Sequence, residues 1–164
     1  MILAVLLQLS LHARQIEKTT AIAVDCDGPV HAELLPSGNE VLIEATGRGI
    51  GHVFLFDRHE VRVIEVAVET AVETGPAPAC ATVKNAACYE QFRKHPMPHM
   101  VFELEGLQAE AKAAQKLLDD AKLPITVAIS PWGVKLKGAK DEAQKRKALM
   151  AIWPAILGPL RLDD

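Results

Sequence analysis

The chain has 164 residues, enough for one domain or two very small ones. Hydrophobic residues make up 49% and charged residues 24%, with a net charge of −3, which fits a folded protein without a basic surface. With two Trp, one Tyr and four Phe, it lacks both the electrostatic footprint and the stacking platform of a nucleic-acid binder.

Residues 2–11 are apolar. Two readings fit them. One is the apolar core of a signal peptide ending at Leu11-His12-Ala13, although no Lys or Arg precedes the run as such signals require. The other is a first strand, with Leu7, Leu9 and Leu11 on one face and Gln8, Ser10 and His12 on the other. About ten apolar residues are too few to span a bilayer as a helix.

Short strands follow. Residues 21–25 (AIAVD) and 30–35 are strand candidates, separated by a turn from Asp25 to Gly28 and stopped by Pro36-Ser37-Gly38-Asn39. Residues 41–45, 52–56 and 61–68 are three more, and in the last of these Val61, Val63, Val66 and Val68 supply the β-branched positions. Gly47, Gly49 and Gly51 follow a strand, as a phosphate loop would. Such a loop must open a helix, however, and residues 52–56 are β-branched and aromatic. The glycines therefore predict a hairpin loop. Five or six short strands without a helical period predict an antiparallel sandwich or a small open barrel.

Residues 70–79 (TAVETGPAPA) have the composition of a linker, with Pro76 and Pro78 removing backbone donors. Residues 80–94 fit either a short helix or a closed loop. In a continuous helix Cys80 and Cys88 would stand about 12 Å apart along the axis. A disulfide tolerates a Cα separation of roughly 7 Å at most. A Cys80–Cys88 bridge, the pairing favoured in an oxidising compartment, therefore requires the segment to be broken or looped. The third cysteine, Cys26, is then left over. Cys80, Cys88, His95 and His99 have the ligand types of a zinc site, but the cysteine spacing is wrong for the usual finger, so no metal or other cofactor is expected.

The clearest helix covers residues 104–121. Leu104, Leu107, Ala111, Ala114, Leu118 and Ala121 form its inner stripe, and Glu103, Glu105, Glu110 and Lys112 are among the residues expected outside. Residues 125–130 alternate as a strand, Pro131-Trp132-Gly133 turn the chain, and Val134 to Lys137 return. A second helix runs from residue 139 or 141 to 152, where Pro154 fixes its end, and residues 156–162 form a last strand. This predicts an α-β-β-α-β unit with two helices on one face of a three-stranded sheet.

Asp25, Asp27, His31, Asp57 and His59 are the tempting acid–base groups. All but His31 lie in expected turns, where Asp serves local hydrogen bonding. No Ser-His-Asp order, nucleophile elbow or metal triad accompanies them, so the chain reads as a non-enzyme.

Two resemblances add to this reading. Residues 125–130, Gly133-Val134-Lys135-Leu136-Lys137-Gly138, the helix from Asp141 and residues 156–162 resemble a BON domain. Residues 21–25, the run from Leu35 to Ile43, residues 47–51, 53–57 and 61–68 resemble the periplasmic N-terminal domain of pilus-type secretins, as in Tad-type pilus assembly. In such secretins a BON domain often follows directly. The chain departs from that family in having no pore region after the second unit and in carrying the segment 80–99. The resemblance implies an α+β chain of two small domains: a β domain over 1–70, a linker with a Cys-containing insertion over 71–100, and a BON-like domain over 101–164. It implies a periplasmic or cell-envelope docking module of a pilus or secretion machine. Its partners would be a secretin or other apparatus subunits, or further copies of itself. The alternative is a protein that binds phospholipid surfaces, with Trp132 inserting beside Lys135, Lys137 and Lys140.

Overall fold

The computed structural model describes residues 4–58, 60–72, 75–95, 97, 100–131, 133–158 and 160–161. Contacts divide the chain into two compact units, Leu3–Glu73 and the segment that begins at Thr74. The chain as a whole is mixed α+β.

The first unit is all β: β1 (Ala4–Leu9), β2 (Arg14–Lys18), β3 (Ala23–Asp27), β4 (Val30–Leu34), β5 (Glu40–Ala45), β6 (Gly49–Phe56) and β7 (Val61–Val68). They form two sheets, ordered β1-β7-β6-β3 and β2-β5-β4. All pairs are antiparallel except β1 with β7, which run parallel. Val30 and Ala32, Val41, Ile43 and Ala45, Val53 and Leu55, and Ile64, Val66 and Val68 form one core drawn from both sheets. The unit is thus a sandwich, and the ladders do not close into a barrel. Leu7 and Leu9 pack against this core, as a first strand requires.

Several expectations change here. The segments 41–45 and 52–56 are strands, but β5 and β6 lie in different sheets, so no hairpin joins them. Of the glycines between them, Gly49 and Gly51 belong to β6 itself. Gly51 lies where the chain turns from β3 to β4; a Cβ there would stand 2.8 Å from the Asp27 carbonyl oxygen. The valines of β7 do not share one face. Its eight residues pair with β6 without a bulge, so Val66 and Val68 join Ile64 facing the core, while Val61 and Val63 lie on the opposite face. The strand expected at 21–25 begins two residues later, and β2 is an addition that the sequence did not suggest.

The second unit contains α1 (Ala86–Lys94), α2 (Leu104–Asp120), β8 (Thr126–Ser130), β9 (Gly133–Lys137), α3 (Glu142–Ile152) with a 3-10 turn at Trp153–Ala155, and β10 (Leu160–Arg161). Its sheet is ordered β10-β9-β8, with β10 parallel to β9. The side chains of Asn85 and Asp141 cap α1 and α3 by accepting from the N–H groups of Cys88 and Gln144.

The segment expected to be a linker insertion is instead part of this unit. Val83, Tyr89 and Phe92 form a core with Leu157, and α1 packs on α2. Val83 bridges to Phe102, and its carbonyl meets the backbone at Gly106 so closely that a Cβ there would lie 1.8 Å away. That approach sets the buried stripe of α2, which runs through Gly106, Glu110, Ala111, Ala114 and Leu118. Leu104, expected inside, is 63% exposed, and Glu110, expected outside, is fully buried. The last strand does not begin at residue 156 as expected. Ile156 and Leu157 are buried in a loop after the 3-10 turn, and the described pairing with β9 is at Leu160 and Arg161. Pro154 lies inside that turn, so it tightens the end of α3 without stopping the chain's helical course.

Candidate functional site

Each of the three sheets ends in edge strands whose outer backbone groups lie outside the ladders. An edge strand presents unpaired N–H and C=O groups, and charge, shortness or a covering side chain normally blunts it. Most of the edges here are blunted in one of these ways. β2 carries Arg14, Glu17 and Lys18, β3 carries exposed Asp25 and Asp27, and β4 carries exposed His31 and Glu33. β10 has two residues among those described. On β8 the Gln115 amide stands in for a neighbouring strand: its Nε2 donates to the Ile125 carbonyl at 3.1 Å, and its Oε1 accepts from Val127 N–H at 2.8 Å.

β1 differs from all of these. Its sequence, AVLLQL, has no charge and no proline, and no strand among the described residues pairs with its outer side. Val5 is 40% and Leu6 50% exposed. Glu69 N–H donates to the Leu9 carbonyl at 3.1 Å, so Leu9, and by alternation Leu7 and Val5, direct their backbone groups at β7. Ala4, Leu6 and Gln8 turn theirs outward. Glu69 also holds the end of this strand from the other side: its carboxylate accepts from Leu11 N–H at 3.2 Å and from Arg48 Nε at 2.7 Å. Those bonds, the Arg48 one foremost, hold its pKa below the ordinary value.

Ionisable groups converge at one place on the same sheet. His52 Nδ1 lies 2.7 Å from Asp27 Oδ1, and its Nε2 lies 3.5 Å from Glu65 Oε2. Asp27 and Glu65 stand directly opposite His52 in the β3–β6 and β6–β7 registers. The row clasps three strands together. Nothing in the sequence spacing of Asp27, His52 and Glu65 marks it, because only the pairing register brings them into line.

Of the residues considered for catalysis, Asp25 and Asp27 lie within β3 and not in the turn expected there; Asp25 accepts from the N–H of Cys26, and Asp57 accepts from the hydroxyl of the sequence-distant Thr20 at 2.6 Å. His31 is exposed on β4, and His59 lies outside the described residues. No group of three or more His, Cys, Asp or Glu among the described residues is placed to hold a metal.

Cys80 and Cys88 form a disulfide with a Cα separation of 5.8 Å. The loop before α1 brings them together, since the helix starts only at Ala86. As a disulfide, the two sulfurs cannot serve as zinc thiolates, and His99 lies outside the described residues. Cys26 is the free thiol, half-buried on β3. Lys137 and Lys140 are exposed and Lys135 is half-buried, while Trp132 lies outside the described residues.

Two buried polar groups fix the second unit. The Tyr89 hydroxyl donates to the Ala155 carbonyl at 2.6 Å, and burial raises its pKa. Glu110 Oε2 accepts from Leu157 N–H at 2.6 Å and Gly158 N–H at 2.9 Å, whereas Oε1 has no hydrogen-bond partner among the described residues. Burial raises the Glu110 pKa, and the two backbone bonds only partly oppose it. Beside these, an open groove of about 690 Å³ runs between α1 and α2 towards Val127. Its floor of Ala86, Ala109 and Ala113 is rimmed by charges of both signs, Lys112 and Lys116 against Glu90 and Asp119, so it selects no ligand charge. No helix among the described residues is long and apolar enough to cross a membrane.

No protein-family model, no curated protein and no solved structure matches this chain.

Proposed function

We propose that this chain is a non-enzymatic docking module of the cell envelope, one that assembles by strand pairing within a pilus or secretin-linked secretion machine. The observation that carries the proposal is the β1 edge: apolar, uncharged and exposed, whereas the other edges among the described residues are charged, short or covered. Such an edge is a template for β-augmentation, in which main-chain bonds supply affinity and alternate side chains supply specificity. The disulfide agrees with an oxidising compartment such as the periplasm. An all-β unit followed by an α+β unit is the order that the secretin resemblance implies.

The test is chemical crosslinking in cells followed by fractionation of the envelope. Recovery of the chain joined to a secretin or another apparatus subunit is the expected result. A chain that stays monomeric and unattached to any envelope assembly would overturn the reading.

A further inference from the structure

We infer that the β1 edge is a homotypic joint, in which two copies of this chain pair β1 against β1 in antiparallel fashion about a two-fold axis at Leu6. This deepens the docking reading above and rests on it for the use of the edge.

The register follows from backbone directions. Ala4, Leu6 and Gln8 turn their N–H and C=O groups outward, because Leu9 and its alternates are committed to β7. In an antiparallel pair, residues that point towards each other exchange two N–H···O bonds. An axis at Leu6 places Leu6 opposite Leu6 of the second copy and Ala4 opposite Gln8, so all the outward groups find partners. Leu6 stacks on Leu6 on one face, and Val5 meets Leu7 on the other. This pairing would cover the exposed apolar surface of Val5 and Leu6.

Charge decides for a second copy at this edge and against it at β2. The outward residues of β2 are Arg14, Ile16 and Lys18, because Thr19 N–H donates to the Asn39 carbonyl and the Ala13 carbonyl accepts from Ala45 N–H. A two-fold axis at Ile16 would set Arg14 against Lys18 of the other copy, a destabilising like-charge pair. The same operation on β1 brings no two charges together. A two-fold joint is closed, so it yields a dimer with one continuous sheet and leaves no open edge at β1.

The test uses the full chain carrying Cys26→Ser, which removes the free thiol and keeps the Cys80–Cys88 bridge. With Leu6→Cys added, the two Cα atoms at the axis stand about 5.5 Å apart, inside the disulfide range of roughly 4.4–6.8 Å. Mild oxidation is expected to give a covalent dimer. Gln8→Cys alone, with its two copies about 14 Å apart along the strands, is expected to stay uncrosslinked until mixed with Ala4→Cys. Sedimentation supplies the second readout. Leu6→Lys places like charges at the axis, and Gln8→Pro removes an outward donor without touching the β1–β7 ladder. Each is expected to weaken dimerisation at least about tenfold while leaving the circular dichroism unchanged.

Equal crosslinking at positions 6 and 8, a dimer indifferent to both Leu6→Lys and Gln8→Pro, or a chain that stays monomeric up to roughly 1 mM would overturn the joint. The two proposals fail separately. A monomer that still crosslinks to a secretin loses the joint and keeps the docking role. A Leu6-centred dimer that joins no apparatus keeps the joint and loses the role.

Discussion

The hydroxyl of Tyr89, on α1, donates to the main-chain carbonyl of Ala155, 66 residues later, at 2.6 Å in a buried setting. It ties the disulfide-bearing helix to the turn that ends α3. Tyr89→Phe keeps the ring and leaves that carbonyl unpaired, a change that should cost about 1–3 kcal/mol. Chemical denaturation of the full chain measures it. The loss should appear in the transition of the second unit, with the midpoint lowered and the slope unchanged.

Glu110 supplies a pH dependence. Its carboxyl is buried, its folded pKa is raised above the unfolded value, and Oε1 has no hydrogen-bond partner among the described residues. A raised folded pKa means the protonated form is favoured by folding. The stabilisation is therefore full below the unfolded pKa and is lost as pH rises through the raised folded value. Stability of the second unit should fall across that window. Glu110→Gln, which retains an acceptor for the Leu157 and Gly158 N–H groups, should flatten the profile. Unfolding midpoints of both proteins from acid to neutral pH make the comparison.

The Cys80–Cys88 bridge closes a short loop directly before α1. Removing it with Cys80→Ser and Cys88→Ser together should destabilise the second unit by about 2–3 kcal/mol by loop entropy. The first unit, whose core draws no residue from this segment, should keep its transition. Non-reducing peptide mass spectrometry should recover the two cysteines on one linked fragment.

Gly106 is a position that admits no side chain. A Cβ there would lie 1.8 Å from the Val83 carbonyl oxygen, which belongs to backbone and cannot swing away. Gly106→Ala gains helix propensity, yet the clash should outweigh that gain by about 3 kcal/mol or more. Hydrogen exchange should show the loss first at the bond from Val83 N–H to the Val101 carbonyl.

Local patterns carried much of this fold. β7 and α2 stand close to where β-branching and helical spacing put them, because both signals act within a few residues. The incompatibility of a Cys80–Cys88 bridge with a continuous helix agrees with the loop that precedes α1. What stayed hidden depends on distant partners. β2 reads RQIEK, and its one apolar residue, Ile16, is 56% exposed, so no burial pattern announces the strand. Glu110 looks like a surface residue on a helical wheel until the N–H groups of Leu157 and Gly158 arrive from far along the chain. The Asp27–His52–Glu65 row and the sorting of β5 and β6 into different sheets likewise follow from pairing alone. The open edge became legible only once β1 was seen to pair on one side.

The claim on which the functional account stands is that Ala4, Leu6 and Gln8 offer their backbone to another strand. Amide hydrogen exchange, followed residue by residue as protein concentration is raised, addresses it most directly. The amides of Leu6 and Gln8 should exchange fast in dilute solution and become protected on concentration, while those of Leu7 and Leu9 stay protected throughout. Leu6 and Gln8 amides that remain fast at every concentration, or that are already protected in the dilute monomer, would contradict it.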